Sequence, residues 1–225
     1  MILLIDADDT LWENNIYFER VIDRFIEHLN HQHLTHAEVR GVINEVEGSN
    51  AKVHGYGTAS FTRNLRQVFE RLAPERSVDQ DWEWINGLGR GITEHPVEVI
   101  EGVPETLEYL SSRHRLMLFT KGDPAEQLRK VERSGLGPWF HDTRVVKEKN
   151  AATYEAIAAE LGSAKDEIWM VGNSPRSDIN PALAAGLRAV WIPHDATWVL
   201  EHEELASAPG KLLTLARFTE LRDHF

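Results

Sequence analysis

A handful of side chains scattered along the chain share one chemistry. Asp6 and Asp8 lie two residues apart in the stretch Asp6-Ala7-Asp8-Asp9-Thr10-Leu11. Thr120 closes an apolar run, Lys147 and Lys149 follow another, and Asp178 stands five residues after Asn173. A carboxylate can attack phosphorus, a lysine and a divalent cation can neutralise phosphoryl oxygens, and a hydroxyl can position them. Oxygen ligands with few protein donors suit magnesium, which keeps several of its waters. The two-residue spacing puts Asp6 and Asp8 on the same side of an extended segment. At about 5 Å and an effective dielectric near 20, two such carboxylates repel by about 3 kcal/mol, roughly two pK units. One of them can then stay protonated as a general acid while bound magnesium keeps the other ionised.

These groups can meet only if several strands end on one rim. Residues 2–5 form a short, wholly apolar run, the pattern of a strand buried on both faces. Similar runs recur at 116–119, 168–171 and 189–192, with a shorter one at 144–146. Helical patterns alternate with them. Asp123-Pro124 opens one as N-cap and first residue, with Leu128 and Val131 inward and Gly135 as its stop. Asn150 caps the next, with Tyr154, Ile157, Ala158 and Leu161 at helical spacing before Gly162, and a shorter one spans 181–186. This alternation predicts an α/β fold, a doubly wound parallel sheet with helices on both faces. In such sheets ligands bind beyond the carboxyl ends of the strands, where all the residues above fall.

Between the first and second strands the pattern is helical throughout. Phe18, Val21, Ile22, Phe25, Ile26 and Leu29 form one apolar face. Thr35 with Glu38 reads as a capping box before Val39, Val42, Ile43 and Val46. Phe61, Leu65, Val68, Phe69 and Leu72 give a third helix, and Trp82, Ile85 and Leu88 a fourth; Trp82 and Trp84 cannot share one helix side. The expected organisation is a catalytic core of residues 1–13 and 99–225 carrying an inserted all-helical module at 14–98, with the core pattern resuming near Pro104.

On these four motifs in order, the chain resembles the haloacid dehalogenase superfamily over essentially its whole length, in particular phosphatases with a helical C1-type cap inserted after the first motif. The resemblance implies a Rossmann-like core and assigns roles to residues of this sequence. Asp6 is the nucleophile that becomes an aspartyl phosphate. Asp8 protonates the leaving alcohol and then activates water, its backbone carbonyl also touching Mg2+. Thr120 binds the transferred phosphoryl group, and Lys149 pairs with Asp6 and the phosphate. Asp6, Asp8, Asn173 and Asp178 would hold the metal, and Thr120, Lys121 and Lys149 would contact substrate; by position alone, Tyr56 in its loop is a further candidate substrate contact, and Asn14 either touches substrate or caps the first cap helix. Two departures stand out. Asn173 occupies a position where the superfamily commonly has aspartate, so it offers an amide oxygen without charge. No proline follows either lysine; Lys149, directly before the helix cap Asn150, is preferred over Lys147.

Composition narrows the field further. With 24 basic against 36 acidic residues the net charge is −12, which repels phosphate backbones and anionic lipid, so neither nucleic acid nor a membrane is an expected partner. The absence of cysteine removes disulfides, thiolate zinc sites and cysteine nucleophiles. The apolar start is broken at Asp6, too soon for a leader or membrane span, and the expectation is a soluble cytoplasmic protein, monomer or homodimer, acting on a small phosphorylated metabolite. Asp9 reads as a turn or helix-cap residue, Arg176 as a solvated turn residue, and His28, His31, His33 and His36 as a solvated face rather than a metal site. Gly55-Tyr56-Gly57, between cap helices, reads as a flexible or substrate-facing loop, and the stretch around Trp198, Glu201 and His202 as a helix without chemistry. The rivals to a phosphatase are a phosphomutase of the same superfamily, a dehalogenase, a receiver-type signalling module and a catalytically silent binding protein. A dehalogenase has no use for Asp8; a receiver module is shorter and has no insertion; Asn173 is the feature that favours a silent protein.

Overall fold

The structure is a computed structural model and describes residues 1–76 and 78–225. In chain order the elements are β1 (Ile2–Ile5), α1 (Asn15–Leu29), α2 (His36–His54), α3 (Thr58–Leu72), α4 (Val78–Glu94), α5 (Val103–Ser111), β2 (Arg115–Lys121), α6 (Pro124–Ser134), β3 (Asp142–Val146), α7 (Ala151–Leu161), β4 (Ile168–Gly172), α8 (Asn180–Ala184), β5 (Arg188–Trp191) and β6 (Leu212–Thr214). They fall into two compact units, Met1–Asn15 with Val97–Phe225, and Ile16–Pro96.

The first unit is built on a six-stranded sheet in the order β3-β2-β1-β4-β5-β6. Every pairing is parallel. The strand order reverses between β1 and β4, so the loops leaving these two strands diverge and open a crevice at their carboxyl ends. β1 is apolar at every position because alternate residues point to opposite faces. Leu3 and Ile5 pack with Val103, Leu107 and Leu110 of α5. Ile2 and Leu4 pack with Tyr154 and Ile157 of α7 and with Ala182 of α8. Beyond β1 the chain leaves the sheet and later returns alongside itself: Glu13 N donates to Glu98 O at 2.9 Å, Ile100 N donates to Leu11 O at 3.0 Å, and Trp12 pairs antiparallel with Val99.

The second unit is all helix and closes its own core around Phe25, Ile43, Leu65 and Val68. Its predicted capping box is present, with Thr35 N donating to Glu38 Oε2 at 2.8 Å and Glu38 N donating back to Thr35 Oγ1. His28 Nε2 lies 2.7 Å from Asp81 Oδ1 and its ring stacks on Trp84, while Trp82 meets Phe69 edge-on. Gly55 and Gly57 both take positive φ between α2 and α3, and Tyr56 sits between them, half-buried. No helix among the described residues is long and apolar enough to cross a membrane.

Two local expectations are corrected, and one strand is added. Leu128, expected inward, is half exposed, because α6 turns Gln127 and Val131 inward instead. The stretch near Trp198 forms only a single tight turn, Val199–Glu201. The edge strand β6, unread in the sequence, has no buried residue: Leu212 and Leu213 are partly covered and Thr214 is exposed.

Candidate active site

β1 hands its register on to Asp6, whose N–H donates to Val171 O at 2.9 Å as if the strand continued. Ala7 then starts a tight turn by accepting from the N–H groups of Thr10 and Leu11. Asp9 sits in that turn at a φ of 60° and accepts from the N–H groups of Asn14 and Asn15, capping the start of α1 as its sequence position suggested. Asp6 is thereby fixed and buried at the carboxyl end of the central strand. Lys149 Nζ donates to Asp6 Oδ1 at 2.5 Å and to Asp178 Oδ1 at 2.7 Å, and its side chain is 2% exposed. Of the two lysines, Lys149 is the one that meets Asp6, while Lys147 is exposed. Phe119 lies beneath the ammonium, 5.6 Å from ring centre to Nζ.

One ammonium shared by two buried carboxylates leaves a negative charge uncompensated. Burial and the nearby Asp178 push the Asp6 carboxyl up to about 7, against the lowering pull of Lys149. Lys149 itself is held above its ordinary value: burial works against its charge, but Asp178 and Asp6 prevail.

Asp8 is placed quite differently. Its Oδ1 accepts from Trp12 Nε1 at 2.7 Å and its Oδ2 from Gln127 Nε2 at 2.9 Å, while Lys130 Nζ reaches both oxygens at 2.9 Å. Burial alone would raise this carboxyl, but the Lys130 charge and the three donors outweigh it and hold Asp8 below its ordinary value. The expected ordering of the two carboxyls is thus reversed: Asp6 holds its proton more tightly than an ordinary aspartate and Asp8 less tightly. Lys130 also donates to Asn14 Oδ1 at 2.8 Å, so the candidate substrate contact Asn14 is engaged within the site wall. Gln127 and Lys130 were missed in the sequence. Their signal was an i, i+3 polar pair on the helix that follows Thr120.

Thr120 is buried at the end of β2, one strand over from Asp6. The next residue, Lys121, expected to meet substrate, instead pairs with Glu201 Oε1 at 2.6 Å and donates to Ser177 Oγ at 2.8 Å. Glu201 also accepts from Ser174 Oγ at 2.6 Å. Burial raises the Glu201 carboxyl, but Lys121 and these hydroxyls bring it below its usual range. A residue read as having no chemistry therefore ties the end of β2 to the loop after β4. In that loop Ser174 N donates to Asp178 Oδ2 at 3.0 Å, and Thr10 Oγ1 lies 3.3 Å from both Asp6 Oδ2 and Asn173 Oδ1. Tyr56 belongs to the helical unit and is not among these contacts.

The donor set suits a magnesium ion. Asp6 and Asp178 would offer carboxylate oxygens, Asn173 an amide oxygen and Asp8 its backbone carbonyl; no softer ligand is among them, and a divalent cation would relieve the repulsion between Asp6 and Asp178. Asp9, Glu13 and His194 also converge, with ligand atoms within 4.8 Å of one another, but Asp9 is committed to capping α1 and His194 Nε2 lies 3.2 Å from Glu13.

The lysine-bridged carboxylates Asp6 and Asp178 stand beyond the carboxyl ends of β1 and β4, where open parallel sheets bind ligands. The profile of the haloacid dehalogenase-like hydrolases matches residues 1–186, and the chain belongs to that family. It is similar to a phosphoserine phosphatase from Thermus thermophilus, 30% identical over 98 residues covering 40% of this chain and 39% of that protein. It is also similar to the pyrimidine 5'-nucleotidase PynA from Streptococcus pneumoniae, 25% identical over 134 residues and 56% of each chain. These matches span about two fifths and just over half of the two relatives' lengths. Among solved structures, a haloacid dehalogenase-like family hydrolase from Xanthomonas campestris superposes with a TM-score of 0.84 at 27% identity, covering 100% of this chain and 93% of that one.

Proposed function

We propose that the protein is a magnesium-dependent phosphatase that hydrolyses a small phosphate monoester through an aspartyl phosphate on Asp6. The observation that carries this reading is the buried Lys149 ammonium held between Asp6 and Asp178. It sets a nucleophilic oxygen, a cation for phosphoryl oxygens and a metal-binding carboxylate within one contact of each other. In the first half-reaction an Asp6 oxygen bonds to phosphorus as the bond to the leaving oxygen breaks, and Asp8 gives that oxygen a proton. In the second, Asp8 takes a proton from water as the water oxygen attacks the same phosphorus and Asp6 departs. Asp8 must therefore take up a proton before the first step, and Asp6 must be free of one. Magnesium, when bound, would neutralise phosphoryl charge and keep Asp6 ionised. Thr120 and Lys149 would orient the phosphoryl group.

Both curated relatives are named for the cleavage of phosphate monoesters. The helical unit would serve as the cap that excludes water and selects the alcohol, with Tyr56 as its substrate-facing residue. Dehalogenation, another chemistry of the family, attacks carbon and has no use for a proton carrier such as Asp8.

The test is phosphate release from a panel of phosphorylated metabolites, with and without magnesium. Asp6→Asn should drop turnover by about 10³-fold or more with an unchanged circular dichroism spectrum. Asp8→Asn should trap phosphorylated enzyme, seen as added mass. Retained hydrolysis in Asp6→Asn would refute the nucleophile. Conversion of a sugar phosphate to an isomer without phosphate release would replace hydrolysis by a phosphomutase reaction.

A further inference from the structure

Asn173 differs from an aspartate in a way that matters for a cation. A carboxylate presents oxygen whichever way it turns, whereas an amide presents either an oxygen or an N–H group. Something must decide which. In this structure Asn173 Nδ2 donates to Thr197 Oγ1 at 3.0 Å, and Oδ1 faces Thr10 Oγ1, beside Asp6. The Thr197 hydroxyl spends its one proton on His194 O, at 2.8 Å, so its free lone pairs can only accept. Turning the amide over would set its oxygen against those lone pairs or break the bond to His194, and would aim two N–H groups at the carboxylate side of the site. The Asn173 backbone is fixed as well, since its carbonyl accepts from Trp191 Nε1 at 2.9 Å.

Thr197 belongs to a segment that no sequence motif singled out and that lies beyond the residues matched to the family. The same segment is anchored along its length: Ala196 O accepts from Asn15 Nδ2 at 2.8 Å, Leu200 O from Arg176, and Glu201 from Ser174 and Lys121. Thr197 is thus held in place independently of Asn173.

We infer that Thr197 is a positioning residue that makes Asn173 a metal ligand, by locking its amide with the oxygen toward the cation. The inference rests on the magnesium site proposed above. Loss of such an orienting partner typically weakens metal binding by about 10- to 100-fold.

The experiment uses the full-length protein and reads metal affinity directly, from the electron paramagnetic resonance signal of free Mn2+ and its competition by Mg2+. Thr197→Val should weaken Mn2+ binding about tenfold, and Thr197→Ser should stay within about twofold of the parent. In an Asn173→Asp background, where orientation no longer matters, Thr197→Val should cost less than about twofold. If Thr197→Val does not fold, Thr197→Ala makes the same comparison. Equal losses in the two backgrounds would show that Thr197 merely supports the loop, and no loss in the Asn173 background would show that the amide needs no guide; either result overturns the inference. A parent protein that binds neither ion would remove the metal site itself, whereas a parent that binds and is indifferent to Thr197 removes only this role.

Discussion

Asp6 and Asp8 are neighbours in sequence and both are largely shielded from water, yet they stand on opposite sides of their ordinary protonation. Burial and Asp178 lift Asp6 to about 7, from an ordinary value of 3.8. Lys130, Gln127 and Trp12 pull Asp8 down in spite of burial. The consequences for stability have opposite signs. With a raised folded-state pKa, Asp6 favours the folded chain fully below pH 4, and that contribution is lost as pH rises toward 7. With a depressed one, Asp8 favours the folded chain above its ordinary range, and its contribution is lost only as pH falls through the folded value. In metal-free buffer the melting temperature should therefore fall between pH 5 and pH 8, by roughly 5 °C or more, and Asp6→Asn should remove most of that slope. Saturating magnesium at pH 8 should restore the lost stability, because it binds the folded state alone. A wild-type slope indistinguishable from that of Asp6→Asn would mean that Asp6 is ionised throughout. The pair itself was legible from its spacing. Which partner is lifted and which is lowered was not, because Gln127 and Lys130 lie 119 and 122 residues away from Asp8 and nothing local aligns them with it.

Strand ends decide what each loop can place at the rim. β4 closes on Gly172, and a Cβ there would come within 2.3 Å of Asp178 Oδ2 and 2.5 Å of its Cγ. The residue before Asn173 is small so that the buried Asp178 carboxylate can fold back over the strand end and take the Ser174 N–H. Gly172→Ala should push Asp178 off Lys149, lowering magnesium affinity and turnover by about tenfold or more, while the chain still unfolds in one transition. Unchanged affinity would show slack in the loop that these distances do not suggest. Elements of this kind were legible where burial is two-sided: β1 is bounded in the sequence as in the fold, because both its faces demand apolar residues. One-sided elements were less so. In α6 the inward face is shared between Val131 and the polar Gln127, so an apolar-only reading turned Leu128 inward and placed it wrongly. The 194–201 segment carries Thr197 and Glu201 on a loop and a three-residue turn, too short for any period to show. Its part in the site comes from hydrogen bonds to Asn173, Ser174 and Lys121, none of them nearby in sequence.

At the scale of the chain, Asp6 is separated from Thr120, Lys149 and Asp178 by an excursion of about 80 residues, and the sheet must close in spite of it. The buried apolar residues sort cleanly. Those packed on the two faces of the sheet all belong to the first unit, and those packed among α1 to α4 all belong to the second. Each unit can bury its own apolar surface, the condition for folding as a domain. The two crossings run side by side, with Glu13 bonded to Glu98 and Leu11 to Ile100, so the ends of the excursion are already within hydrogen-bonding reach. A short Gly-Ser linker in place of residues 16–96 can span that gap at little entropic cost. The shortened chain, which keeps Asp6, Asp8, Thr120, Lys149, Asn173 and Asp178, should fold cooperatively and bind Mn2+ within about tenfold of the parent. It should also hydrolyse a generic aryl phosphate while its preference among metabolite phosphates collapses toward unity, because a cap acts on the alcohol and leaves the phosphoryl group to the core. Circular dichroism melting, Mn2+ binding and a ratio of kcat/KM values for two metabolites measure these three properties separately. A shortened chain that folds and binds metal yet keeps the parent's preference would place substrate selection in the sheet unit and strip the helical unit of the role proposed for it.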